Sequence, residues 1–256
     1  MTIQDLIDEA VALAHPYANP PLPLAYLLKV YQNVEEEVLL LYLNSAPEHL
    51  SAPTAYPITI TSTGNTTGYQ LAAPPPGSTV KTDGSGNPVF TSFGGTVVLV
   101  VNGQDVPGPE PLGFYDFVLT TTEGRKLPLR LTPERLQDTP ATHPSGFLRG
   151  NLFFPCDPLE RRWEGSDQRP FFRPGETLTY RYVARRLPAD QPTAEARIPA
   201  GARQYVVATL ALYLLLTSQL QVPDARLLKA QQAVGQGFDA IFLSTGGRSP
   251  KTLRKE

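Results

Sequence analysis

Apolar residues near the start of the chain recur at helical spacing. Ile3, Leu6, Ile7, Ala10, Leu13 and Ala14 share one face of a helix. Thr2 is placed to cap it, and Asp5, three residues on, favours the positive end of its dipole. His15-Pro16 ends it, because the residue before proline is pushed out of the helical region. After the linker NPPLP a second helix follows, with Leu24, Leu27, Leu28, Tyr31, Val34, Val38, Leu41 and Tyr42 on one face, closed by Asn44-Ser45-Ala46-Pro47.

From about residue 54 the period shortens to two. Tyr56 to Thr61 alternates apolar and polar, and the β-branched run Thr96 to Val101 ends in the turn Asn102-Gly103. Phe114 to Thr122 and Lys126 to Leu131, joined by Glu123-Gly124, read as a hairpin whose second strand Pro128 confines to an edge. Residues 132 to 150 read as a loop, and Thr177 to Leu187 as a final strand with Leu178, Tyr180 and Tyr182 opposed to Thr179 and Arg181. Helical spacing returns after Pro199. Val206 to Leu216 is apolar nearly all round, which marks a central buried helix. A fourth helix starts at Pro223, with Leu227, Leu228, Val234, Phe238, Ile241 and Phe242 on one face. Gly235 and Gly237 weaken it and suit a bend or a close helix contact.

The expected fold is therefore α+β: terminal helices forming one helical bundle, with a large inserted β domain. Residues 1–53 and 196–245 make the discontinuous helical core, 54–195 the insertion, and 246–256 a flexible basic tail.

Composition narrows the function classes. The chain has 256 residues, 27 prolines, 20 glycines and a formal net charge of −2, so no global positive field draws it to nucleic acid. Charged residues are 18%, below the roughly 25% usual for soluble domains, which suits a surface covered by partners and equally a β-rich fold with polar Ser/Thr faces. One Cys, one Met and Pro-rich loops hint at a thermostable protein. The opening MTIQDLIDEA does not read as a signal peptide. The longest apolar run, Tyr205 to Leu216, falls short of the roughly 20 residues that span a bilayer, so no membrane partner is expected.

Candidate chemistry is sparse. No phosphate loop, dinucleotide fingerprint, zinc signature or nucleophile elbow occurs. Asp83-Gly84-Ser85-Gly86-Asn87-Pro88 lacks the lysine and the following helix of a phosphate loop and reads as a turn. His15, His49 and His143 have no second ligand at metal spacing. Neither an enzyme nor a cofactor is expected. Glu35, Glu36 and Glu37 fan out by about 100° each on a helix, so they do not converge as a catalytic pair. They read as a solvated helix face, with a channel-facing acidic surface as the functional reading. Arg161, Arg162, Trp163, Arg169, Phe171, Phe172 and Arg173 combine the residue types enriched at interface hot spots and read as a subunit or partner contact.

The two chain ends resemble a known family. TIQDLIDEAVALA, a short linker and LAYLLKVYQNVEEEVLLLYLNSAP are similar to the start of the head-to-tail adaptors of tailed bacteriophages. GETLTYRYVARRLPAD and RIPAGARQYVVATLALYLLLTSQLQVPDARLLKAQQAVGQGFDAIF resemble the family's last strand and closing helix pair. The resemblance covers about 110 residues at the two ends; the middle, roughly 55 to 165, departs from the small insertions of that family. It implies a structural virion protein of the neck, made in the host cytoplasm, that forms a dodecameric ring under the portal protein. Such a ring extends the DNA channel, passes double-stranded DNA without reading its sequence, and seats tail or stopper proteins. It further implies portal binding through the tail, with Arg248, Lys251, Leu253, Arg254 and Lys255 as the contact residues. The alternatives are another virion β-protein, such as a capsid decoration or tail component, and a carbohydrate-binding module. The second needs convergent carboxylates beside aromatics, and the acids of the middle show no such pairing.

Overall fold

The computed structural model describes residues 1–18, 22–50, 56–59, 69–75, 77–92, 95–131, 145–156, 175–186 and 192–245. The chain forms two compact units. Met1–Ala52 with Arg186–Glu256 make one, and Pro53–Arg185 the other.

The first unit is helical. Its helices are α1 (Ile3–Ala14), α2 (Leu24–Ser45), α3 (Arg203–Leu216) and α4 (Asp224–Ser244), with one 3-10 turn, Pro47–His49, after α2 and another, Ala200–Ala202, leading into α3. Leu210, Val206, Val207 and Leu214 of α3 are buried, and α3 packs against α1, α2 and α4 alike. A helix apolar on every side has to be wrapped in this way. Thr2 and Asp5 form a full capping box: Asp5 N donates to Thr2 Oγ1 at 3.2 Å, and Thr2 N donates to Asp5 Oδ2 at 2.7 Å. The next amides of α1 are satisfied from far along the chain. Ile3 N donates to the Ala194 carbonyl at 3.0 Å and Gln4 N to the Pro192 carbonyl at 2.9 Å.

Those bonds move the expected domain boundary. Residues 186–195 belong with the helices rather than with the insertion, because the amides at the start of α1 need carbonyls that this returning segment supplies. The helix faces also differ from the periodicity in places. Leu13, Leu24, Leu228 and Phe238 are exposed, and within α4 only Gly237 and Ile241 are fully buried.

The second unit is built from strands. In chain order they are β1 (Tyr56–Thr59), β2 (Tyr69–Gln70), β3 (Thr79–Val80), β4 (Val98–Val101), β5 (Gln104–Pro107) and β6 (Gly113–Thr120). Then come β7 (Lys126–Pro128), β8 (Arg130–Leu131), β9 (Ser145–Arg149), β10 (Leu152–Cys156) and β11 (Thr177–Val183). They make three sheets, ordered β1-β11-β6-β7, β2-β10-β9-β8 and β3-β4-β5. β7 is an edge, as its proline requires. The β4–β5 turn is Asn102-Gly103, with φ of 52° and 76°, matching the strand twist as a two-residue hairpin should. Residues 145 to 149, expected in a loop, form β9 instead; it pairs antiparallel with β10 and parallel with β8. The rest of that expected loop, 132 to 144, lies outside the described residues.

The core of this unit gathers Leu71, Phe117, Leu119, Phe153, Leu178 and Tyr180. A bulge makes it possible. Phe114 and Phe117 are three residues apart, so on a regular strand they would face opposite sides. The register of β6 against β11 shifts near Tyr180, Asp116 takes φ of 52°, and both rings then meet Tyr180, with centroids at 5.7 and 5.8 Å. Tyr180 and Tyr182 in turn donate their hydroxyls to the Ala72 and Pro74 carbonyls, at 2.8 and 2.9 Å. Two carbonyls of the buried stretch 71 to 75, which lies outside the sheet ladders, are satisfied in this way.

The two α4 glycines give opposite expectations. A Cβ on Gly237 would lie 2.6 Å from Tyr205 Cα and 2.7 Å from its N, whereas one on Gly235 would meet nothing within 4 Å. Gly235→Ala is expected to raise stability by up to about 1 kcal/mol through helix propensity. Gly237→Ala is expected to lower it by about 1–3 kcal/mol, as overpacking does. Urea unfolding followed by far-UV circular dichroism measures both; equal effects at the two positions would contradict the close α3–α4 approach.

Candidate functional site

The three consecutive glutamates of α2 separate into three environments. Glu35 is fully buried (0% exposed), Glu36 is half-buried and Glu37 is exposed. Glu35 is thus neither on a solvated face nor facing a channel, and that reading is corrected. The reason is positional: Glu35 sits on the same helix face as Tyr31, Val38 and Tyr42, at spacings of four, three and seven residues, and all three of those are buried.

A carboxylate taken out of water has to be compensated by fixed donors. Arg186 supplies a two-pronged guanidinium, Nε to Oε2 at 2.6 Å and Nη2 to Oε1 at 2.9 Å. Arg197 donates its backbone N to Oε1 at 3.0 Å and its Nη2 to Oε2 at 3.4 Å. Tyr31 Oη donates to Oε1 at 2.9 Å. Arg186 Nη2 also donates to the Glu195 carbonyl, so one side chain ties both ends of the returning segment to α2. Burial works to raise the Glu35 pKa, but hydrogen bonding and charge from Arg186, with Arg197 behind it, outweigh burial and hold the carboxyl below its usual range. Burial, with the adjacent Glu35 charge, pushes the Tyr31 hydroxyl up, so Tyr31 stays a donor.

This arrangement holds structure rather than doing acid–base work. The carboxylate is ionised and both of its oxygens are taken by donors of the chain itself. Glu37 has a different role: it accepts from Tyr205 Oη at 2.9 Å, linking α2 to α3. Burial, then that bond, pushes the Tyr205 hydroxyl up to about 12.

Asp83 closes a turn, as expected. It accepts from the amides of Ser85 and Asn87 at 2.8 and 2.9 Å, and these bonds, the Asn87 amide first, lower its pKa. Among the described residues no group of three or more His, Cys, Asp or Glu is arranged to hold a metal ion, and no helix is long and apolar enough to cross a membrane. Arg161, Arg162, Trp163, Arg169, Phe171, Phe172 and Arg173 lie outside the described residues, as do Arg248, Lys251, Leu253, Arg254 and Lys255.

Sequence reasoning missed the Glu35–Arg186–Arg197 knot. The signal was the glutamate's place inside the apolar stripe of α2.

Removing the charge of Glu35 leaves two guanidinium groups facing a partner that no longer balances them. Glu35→Gln is expected to destabilise the helical unit by about 3–5 kcal/mol at neutral pH. The sign with pH follows from the lowered value. The stabilisation is present above the unfolded carboxyl pKa of about 4.3 and is lost as pH falls through the folded one. The stability gap between wild type and variant should therefore close in acid, as read by urea unfolding across a pH series; a gap independent of pH would contradict the assignment. The sequence matches no protein-family model and no curated protein.

Proposed function

We propose that the protein is a structural adaptor of a tailed-bacteriophage neck, forming a ring beneath the portal protein and continuing the DNA channel toward the tail. The observation that carries this reading is where apolar surface is left uncovered. Among the described residues every exposed large hydrophobic side chain except Leu131 belongs to the helical unit, including Leu216 at 62% and Leu243 at 75% exposure. Apolar surface of this kind on a folded unit marks assembly contacts, and the same unit carries most of the resemblance to the adaptors, the last strand excepted. A chemical role has no such support, since the buried carboxylate of that unit is already occupied.

In this reading the tail, with Arg248, Lys251, Leu253, Arg254 and Lys255, attaches to the portal. The stretch from Arg161 to Arg173, with Trp163, Phe171 and Phe172, contacts a neighbouring subunit or a tail or stopper protein. Each copy contributes a weak contact, and the ring multiplies it.

Co-expression with the portal protein of the same phage tests the proposal: a complex containing several copies of this chain per portal is expected. Deleting residues 246–256 should leave the far-UV spectrum and Tm unchanged and reduce portal capture, and wild-type capture should weaken with salt. Trp163→Ala with Phe172→Ala should lower assembly with little change in Tm. A chain that never associates with the portal removes the reading.

A further inference from the structure

The helices of the first unit bring unlike surfaces to its two ends. At one end Tyr26 of α2 and Tyr213 of α3 share a 2.8 Å hydroxyl bond, and Arg226 of α4 donates to the Leu13 carbonyl of α1. The end of α1, the start of α2, the end of α3 and the start of α4 therefore lie together. At the other end Tyr205 of α3 meets Glu37 of α2 and the Phe238 ring of α4, with ring centroids 6.1 Å apart, while Tyr42 of α2 bonds Ser244 of α4 at 2.9 Å.

Both ends expose apolar side chains, but their charges are opposite. The first exposes Leu13, Tyr26, Tyr213, Leu216 and Leu220. Its helices carry Lys29, Arg226 and Lys229 there against Asp224 alone. The second exposes Leu40, Phe238 and Leu243. The same helix ends carry Glu37 and Asp239, with Glu48 just beyond α2, and Arg203 at the start of α3 is paired with Glu9 at 2.8 Å.

The geometry points to a head-to-tail contact between copies of this chain, the basic apolar end of one helical unit docking on the acidic apolar end of the next. It rests on the ring reading above and names the interface that reading leaves open. The occupant is a second copy because each end offers exposed apolar surface together with the charge opposite to that of the other end. Opposite potentials steer the encounter and fix its register, and two ends of the same type repel. A contact between two different patches of one molecule is heterologous, and it closes into a ring when its rotation allows.

Charge reversal on the full chain tests this, without portal, by sedimentation velocity at low salt. Wild type should associate with rising concentration. Lys29→Glu with Lys229→Glu, and separately Glu48→Lys with Asp239→Lys, should each weaken self-association about tenfold or more, because like charges then face each other. An equimolar mixture of the two variants should restore it, since each then offers the other a complementary end. That rescue excludes misfolding as the cause, and far-UV circular dichroism checks it directly.

Variants that associate like wild type, a mixture that stays dissociated, or a wild type monomeric throughout would each overturn the contact. So would loss of association on deleting residues 246–256 where both charge reversals leave it intact, since the basic tail would then be what occupies the acidic end. Portal capture by the same proteins keeps the two readings apart. Capture without head-to-tail association removes this inference and leaves the adaptor reading; association without capture does the reverse.

Discussion

A helix that is apolar round most of its circumference needs cover on several sides at once, and α3 imposes that condition on the helical unit. Its buried Tyr205, Val206, Val207 and Ala208 follow one another at about 100° per residue and so face different directions round the axis, which calls for neighbours on several sides. α4 follows it in sequence, but the other two neighbours come from the first 45 residues. The β unit is consequently an insertion, entered after Ala52 and left at Arg186. The two ends of the chain are joined by burial, not by adjacency in sequence.

Burial alone does not fix where the returning chain docks. That is the work of Glu35. Hydrophobic contact is non-directional, whereas a buried carboxylate accepts only donors at set angles and distances. Arg186 and Arg197 bracket the returning segment, and both reach the same two oxygens. The α1 amides then take the carbonyls of residues 192 and 194. A polar knot of this kind adds little net stability over an apolar one, but losing one partner is costly, which makes it a device for register.

The four helices were readable because their apolar spacing runs for many turns. Thr2 with Asp5, the Asn102-Gly103 turn and the edge position of Pro128 were readable from local chemistry, since each needs only its neighbours. What escaped depended on distant residues. β9 and β10 have no clean alternation, and pairing makes them strands. Phe114 and Phe117 reach one core only through a bulge opposite Tyr180. The Glu35 triplet read as solvated charge because three consecutive acids fan out round a helix, and two of the three are at least partly exposed. Position 35 nonetheless falls in the stripe of Tyr31, Val38 and Tyr42, and a glutamate there demands a cation. Leu13, Leu228 and Phe238 satisfied the helical period yet stay wet, because period locates a face and says nothing of what covers it.

The discontinuity of the helical unit has a consequence for how the protein is made. α1 and α2 leave the ribosome first, but the helix they must cover, α3, begins only at Arg203. At roughly 5–20 residues per second, α2 waits on the order of ten to thirty seconds with Leu27, Tyr31, Val34 and Val38 uncovered. The intervening β unit has all its strands synthesised before α3 appears, so vectorial synthesis lets the insertion fold ahead of the frame that carries it. During that interval Glu35 remains in water, its carboxylate hydrated, until Arg186 and Arg197 emerge together just ahead of α3.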